Sequence, residues 1–194
     1  MPSIDAQQFR DTLLHEVRSA WQLLRQTHPR DHFYCFGVYT MACAEYLTIT
    51  ASTEEGLSVV AEKYLARAGG DRTLWRSCLR WSPCDSPLHE EGFNLLLRSQ
   101  ALRDSGPDPY DDTIEGSEAI ALVFDTAVEV LKQLDSENAF GTEIERARLA
   151  LGILMGDQSN ENMIAFARRL NPKHIVDRLA KELEEGYEAC KQLP

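Results

Sequence analysis

From His32 to Thr40 the chain reads HFYCFGVYT. A stretch this apolar on both of its alternating faces forms a strand only where both faces are covered. Period two puts Tyr34, Phe36 and Val38 on one side, and Phe33, Cys35, Gly37 and Tyr39 on the other. The segment is therefore expected as a covered central strand, and its neighbours must supply partners. Glu45 to Ala51 is the nearest, with Leu47, Ile49 and Ala51 pointing inward and Thr48 and Thr50 outward, as the second arm of a hairpin. Thr73 to Trp81 reads as a third strand, with Trp75, Ser77, Leu79 and Trp81 on one face and Leu74, Arg76, Cys78 and Arg80 on the other. Within Thr142 to Gly156, Ile144, Ala147 and Leu151 fit a helix, whereas Leu149, Leu151, Ile153 and Met155 alternate as a strand. The preferred reading is a helical start that passes into a strand at about Arg148.

Helical spacing marks the cover. Phe9, Leu13, Val17, Trp21 and Leu24 make one stripe over Ser3 to Thr27, capped by Ser3 and ended by His28-Pro29. Ser52 or Thr53 caps a helix over Glu54 to Ala68, and Gly69-Gly70 stops it. Asp85 or Ser86, followed by Pro87, opens another, expected from Leu88 to about Arg103 with Phe93, Leu96 and Leu97 buried. A loop rich in Pro, Gly and Asp follows, then a long helix over Ile114 to Leu134. Ser159 caps a helix to Leu170, Asn171-Pro172 breaks it, and Lys173 to Gln192 is the last. The expected class is α+β: a small, mainly antiparallel sheet of about four strands packed with several helices. At 194 residues, with no polar linker between two apolar sets, residues 1–194 read as a single domain.

Charge is distributed unevenly. Residues 1–80 carry nine acids and nine bases, so the net charge of −11 arises beyond them. Asp104 to Glu145 alone holds twelve acids and one base, Lys132. Such a field repels phosphates, which argues against nucleic acid and leaves a basic protein partner open. Asp108, Asp111, Asp112, Glu115 and Glu118 are the partner-binding candidates, against the plainer reading of a solvated acidic surface. No apolar run reaches the ~18–20 residues that span a bilayer, so no membrane partner is expected. Met1 to Arg10 lacks the apolar core of a secretory signal, and the expected address is the cytoplasm.

Chemical motifs are scarce. Cys35, Cys43, Cys78, Cys84 and Cys190 form no CxxC pair and are expected reduced, as small hydrophobes. Cys84, Asp85, His89, Glu90 and Glu91 make the densest polar cluster, yet no second ligand pair accompanies them, so capping and surface roles are preferred to catalysis or metal. Pro29 spoils the helical spacing of His28 and His32 as ligands, and His15 and His174 are isolated. Arg72, Arg76 and Arg80 recur every four residues, a row suited to an anion but better explained by pairing with acids of a covering helix. Gly69-Gly70-Asp71 lacks the lysine of a phosphate loop, and GxGxxG, GxSxG and HExxH do not occur. No catalytic residue, cofactor or metal ligand is assigned, and an enzyme is disfavoured.

Four stretches carry a resemblance when taken together: FYCFGVYT (Phe33–Thr40), STEEGL (Ser52–Leu57), RWSPCDSP (Arg80–Pro87) and GDQSNENMIAFARRLNP (Gly156–Pro172). In this order and spacing they resemble a bacterial family known only as domain of unknown function 4303, over about Asp5 to Pro172. The resemblance implies an α+β fold and a strand at Leu149–Met155, and it brings no activity. The chain departs from the family's usual aromatic after the motif aspartate by carrying Ser86, so the resemblance lends that position no ligand role. Trp81, Ser82, Pro83 and Asp85 read as a strand-to-helix junction. The functional expectation is a non-catalytic protein-binding module, such as an immunity protein that neutralises a basic, toxin-like protein. The alternative is a small-molecule-binding protein or an enzyme whose site the sequence does not disclose.

Overall fold

The central strand is where the HFYCFGVYT pattern requires it. In the computed structural model, which describes residues 3–111, 113–156 and 158–194, β1 (Phe33–Tyr39) is buried at all seven positions. It lies between β2 (Thr48–Thr53) and β3 (Ala150–Leu154). β2 runs antiparallel to β1 and β3 parallel to it. The fold is α+β, with a mixed sheet of three strands in place of the expected four in mainly antiparallel order.

The missing strand is a helix. Thr73 to Trp81 folds mostly as α3 (Arg72–Leu79), because the Asp71 carboxylate accepts from the backbone N–H groups of Thr73 and Leu74 at 2.7 and 3.0 Å. Eight residues fit either period, and the cap decides. On a helix Trp75 and Leu79 share the buried side. β1 also departs from simple alternation. A bulge sets Phe33 opposite Thr53 and Cys35 opposite Ser52, leaving Tyr34 as the extra residue. Phe33 therefore joins Phe36 and Val38 in one core, while Tyr34, Cys35 and Tyr39 share the other.

Helices cover both faces. On the Phe36 side pack α1 (Ala6–Thr27) and α6 (Ile114–Ser136), with Trp21 edge-on to Phe33, Phe36 and Phe140. On the Tyr34 side pack α2 (Glu54–Ala68), α3, α8 (Asn160–Leu170) and α9 (Lys173–Cys190). Asp5, in place of Ser3, caps α1 by accepting from the Gln8 N–H. Thr53 caps α2 and Ser159 caps α8. The helical start before β3 is α7 (Glu143–Arg146), closed by a capping box from Thr142 and Glu145.

Both sheet edges are protected. Beyond β3, the Asn171 amide imitates a strand: its Oδ1 accepts from the Leu151 N–H at 2.9 Å and its Nδ2 donates to the Leu151 carbonyl at 2.7 Å. Along β2 lies α4 (Pro87–Gly92), so close that a Cβ on Gly92 would sit 1.7 Å from the Ile49 carbonyl oxygen. The chain then turns through Asn94 at φ 67° before α5 (Leu97–Asp104). The single helix expected from Leu88 to Arg103 is thus two, and the burial pattern changes with it. Leu96 is buried as expected, but Phe93 and Leu97 are 44% and 59% exposed.

The cysteines bring another correction. α3 carries Cys78 to the end of α9, where a disulfide joins it to Cys190; Cys35, Cys43 and Cys84 are free. Burial pushes the Cys35 thiol up to about 12, which makes it inert as a nucleophile. Among the described residues, no helix is long and apolar enough to cross a membrane.

Candidate functional site

The family-like motif RWSPCDSP forms a buckle between helices. Arg80 donates to the Glu54 carboxylate from Nη2 at 2.7 Å and to Glu182 from Nε at 2.9 Å, and lies 4.3 Å over the Tyr34 ring. Arg76 donates to the same Glu54 carboxylate at 2.8 Å, and Arg72 pairs with Glu62. The arginine row therefore pairs with acids of α2 and α9, as the spacing anticipates. Trp81 donates from Nε1 to Glu182 at 3.1 Å. Asp85 accepts from Ser82 at 2.5 Å and from Tyr64 at 2.6 Å, while Ser86 caps α4 and donates to the Ala51 carbonyl. Burial works against the Glu54 charge, but the Arg80 hydrogen bond and the fields of Arg80 and Arg76 hold its carboxyl below the usual range. Every polar group of the motif is committed to holding the fold together.

The other polar residues of this region also disperse. The Cys84 thiol shares a 3.2 Å hydrogen bond with the Tyr39 hydroxyl, and Glu91 pairs with His28 at 2.8 Å. His89 stands edge-on to Tyr39 and Phe93, where burial lowers its pKa. His32 binds Glu55, away from His28. Among the described residues, no group of three or more His, Cys, Asp or Glu assembles that could hold a metal ion.

The acidic stretch divides in two. Five of its six later acids are paired locally: Asp125 with Arg169, Glu129 with Arg10, Asp135 with Arg146, Glu137 with Arg18 and Glu145 with Arg25, and Glu143 alone is exposed without an ion pair among the described residues. Asp108, Asp111, Glu115 and Glu118 are exposed and make no ion pair among the described residues. Asp112 lies outside the described residues. The unbalanced charge is thus concentrated where the partner-binding candidates stand.

A buried arginine anchors that loop. Arg103 is 2% exposed; its Nε donates to the Ala44 carbonyl at 2.6 Å and its Nη1 to the Pro107 carbonyl at 3.2 Å. Gln100 fastens the same region to the β1–β2 loop: its Oε1 accepts from the Leu47 N–H at 2.6 Å, and its Nε2 donates to the Glu45 carbonyl and to Asp104. Tyr110 donates to Glu45 at 2.5 Å, and that carboxylate pushes the phenol up to about 12. The β1–β2 loop, α5 and the acidic loop therefore make one continuous surface.

Beside the acids this surface is apolar. A groove of about 320 Å³ runs between Tyr46, Thr48, Phe93, Leu97 and Gln100. Tyr110 and Ile114, within the acidic loop and at the start of α6, are 67% and 75% exposed. An apolar floor beside exposed acids is the kind of surface on which proteins bind one another. The groove is not legible in the sequence, because an uninterrupted helix over this stretch would bury Phe93 and Leu97. The Gly92-Phe93-Asn94 turn is the signal that marks the break.

A family model described as Domain of unknown function (DUF4303) matches residues 13–172. No curated protein and no solved structure matches the chain.

Proposed function

The chain belongs to the DUF4303 family, and from that footing we propose that it is a non-catalytic protein-binding module that captures a basic partner on the Asp104–Glu118 face. The observation that carries the reading is the junction at Gln100. One side chain lines the apolar groove and also bonds Asp104, so the acidic loop begins beside the groove that holds exposed Phe93 and Leu97. The apolar floor supplies the burial that holds a complex together, and the acids speed encounter. The finer reading, an immunity-type protein that neutralises a toxin, draws on the same charge, since steering favours rapid capture of a basic protein.

Capture from a lysate of the source organism tests this. Two variants are compared with the native chain: Phe93→Ala with Leu97→Ala, and Asp108→Asn, Asp111→Asn, Asp112→Asn, Glu115→Gln with Glu118→Gln. A basic protein retained by the native chain should be lost from the first variant and weakened in the second. Equal retention by all three overturns the assignment of this face. A second reading, small-molecule binding, is favoured by a cavity of about 250 Å³ that includes Met155 and Gly156, just past the C-terminal end of β3.

A further inference from the structure

One wall of that cavity is supplied by the part of the chain beyond the family match. Its walls include Trp81 and Pro83 after α3, Met155 after β3, Met163 on α8, and Leu183 and Tyr187 on α9. The match ends at residue 172, one residue before α9 begins. In the last two turns of α9, past Leu183, the buried residues are Gly186 and Ala189. A glycine and an alanine bury little apolar surface, so within α9 this end packs lightly, and beyond it only the partly buried Leu193 adds an apolar contact with the same core. Gly186 rides directly on α3, where a Cβ would come 2.8 Å from the Ser77 carbonyl oxygen. Four residues further, Cys190 is exposed and bonded to Cys78, and both sulfur-bearing residues line the cavity.

We propose that Cys78–Cys190 is a reversible redox latch: oxidised, it holds the end of α9 closed over the cavity, and reduced, it lets that end lift. The reactant is a dithiol. One thiolate attacks the exposed Cys190 Sγ, forming a mixed disulfide and releasing Cys78 as a thiolate that takes up a proton. The second thiol of the reductant then attacks its own sulfur in the mixed disulfide, and Cys190 leaves as the second thiol. Two electrons pass to the protein and the reductant ends as a disulfide. In a reducing compartment such a pair serves sensing better than permanent bracing. The latch is independent of the acidic face, which lies on other elements.

Methionine oxidation reads the opening directly. Met155 and Met163 are each 7% exposed against the cavity, whereas Met41 is 47% exposed and remote from α9 in sequence. With peroxide as the probe, Cys190→Ser should oxidise Met155 and Met163 at least about threefold faster than the bridged protein, with Met41 unchanged. Hydrogen exchange on the native chain with and without a phosphine reductant supplies the second measurement. Protection should fall over residues 183–190 and persist in β1, β2 and β3. Unchanged methionine rates overturn the latch. So does loss of protection throughout the sheet, which makes the bridge a staple of the whole fold.

Discussion

Glu54 shows how much a single side chain can hold together. It stands in the first turn of α2, where a carboxylate suits the helix dipole, and receives guanidinium groups from Arg76 and Arg80 of the neighbouring segment. Its folded pKa lies below the ordinary value, so it stabilises the protein above the ordinary carboxylate range. That contribution is lost as the pH falls, because below about pH 4.3 the unfolded chain takes up the proton first. Glu54→Gln should therefore lower stability at pH 7 and differ less from the native chain at pH 3. Urea unfolding across that range checks it, and two parallel profiles contradict it. The pairing itself was legible in the four-residue spacing of Arg72, Arg76 and Arg80, which aligns side chains on a helix face and on a strand face alike.

Among the elements, those with long stripes were the most legible. α1, α2 and α6 have enough turns for period 3.6 to stand out, and β1 is too apolar on both sides to be anything but covered. Short elements were not. α3 is eight residues long, and its identity rests on the Asp71 cap, whose partners are backbone groups that carry no residue signature. The bulge at Tyr34 was equally hidden, since an extra residue changes which faces are shared without changing composition. The break between α4 and α5 rests on Gly92, which lets the helix touch the β2 edge. Gly92→Ala should push α4 from β2 and destabilise by about 1–3 kcal/mol, the usual cost of overpacking. Chemical denaturation measures this, and a variant as stable as the native chain shows that α4 yields without cost.

At the scale of the molecule, long-range pairing was the information the sequence withheld. Cys78 and Cys190 are 112 residues apart in sequence, and in the fold they meet where α3 packs on the end of α9. The acidic stretch behaves similarly. The sequence shows its excess of acids, but not that arginines from α1, α7 and α8 pair with five of the six later ones and leave Asp108, Asp111, Glu115 and Glu118 without an ion pair among the described residues. That separation gives the proposed binding face its direction. The most direct measurement is the association rate of a captured basic partner between about 0.05 and 0.3 M salt, for the native chain and for the variant neutralised at Asp108, Asp111, Asp112, Glu115 and Glu118. The native rate should fall steeply with salt, the variant rate should start lower and stay nearly flat, and dissociation should change little in either. A partner whose association ignores both salt and these substitutions contradicts the account.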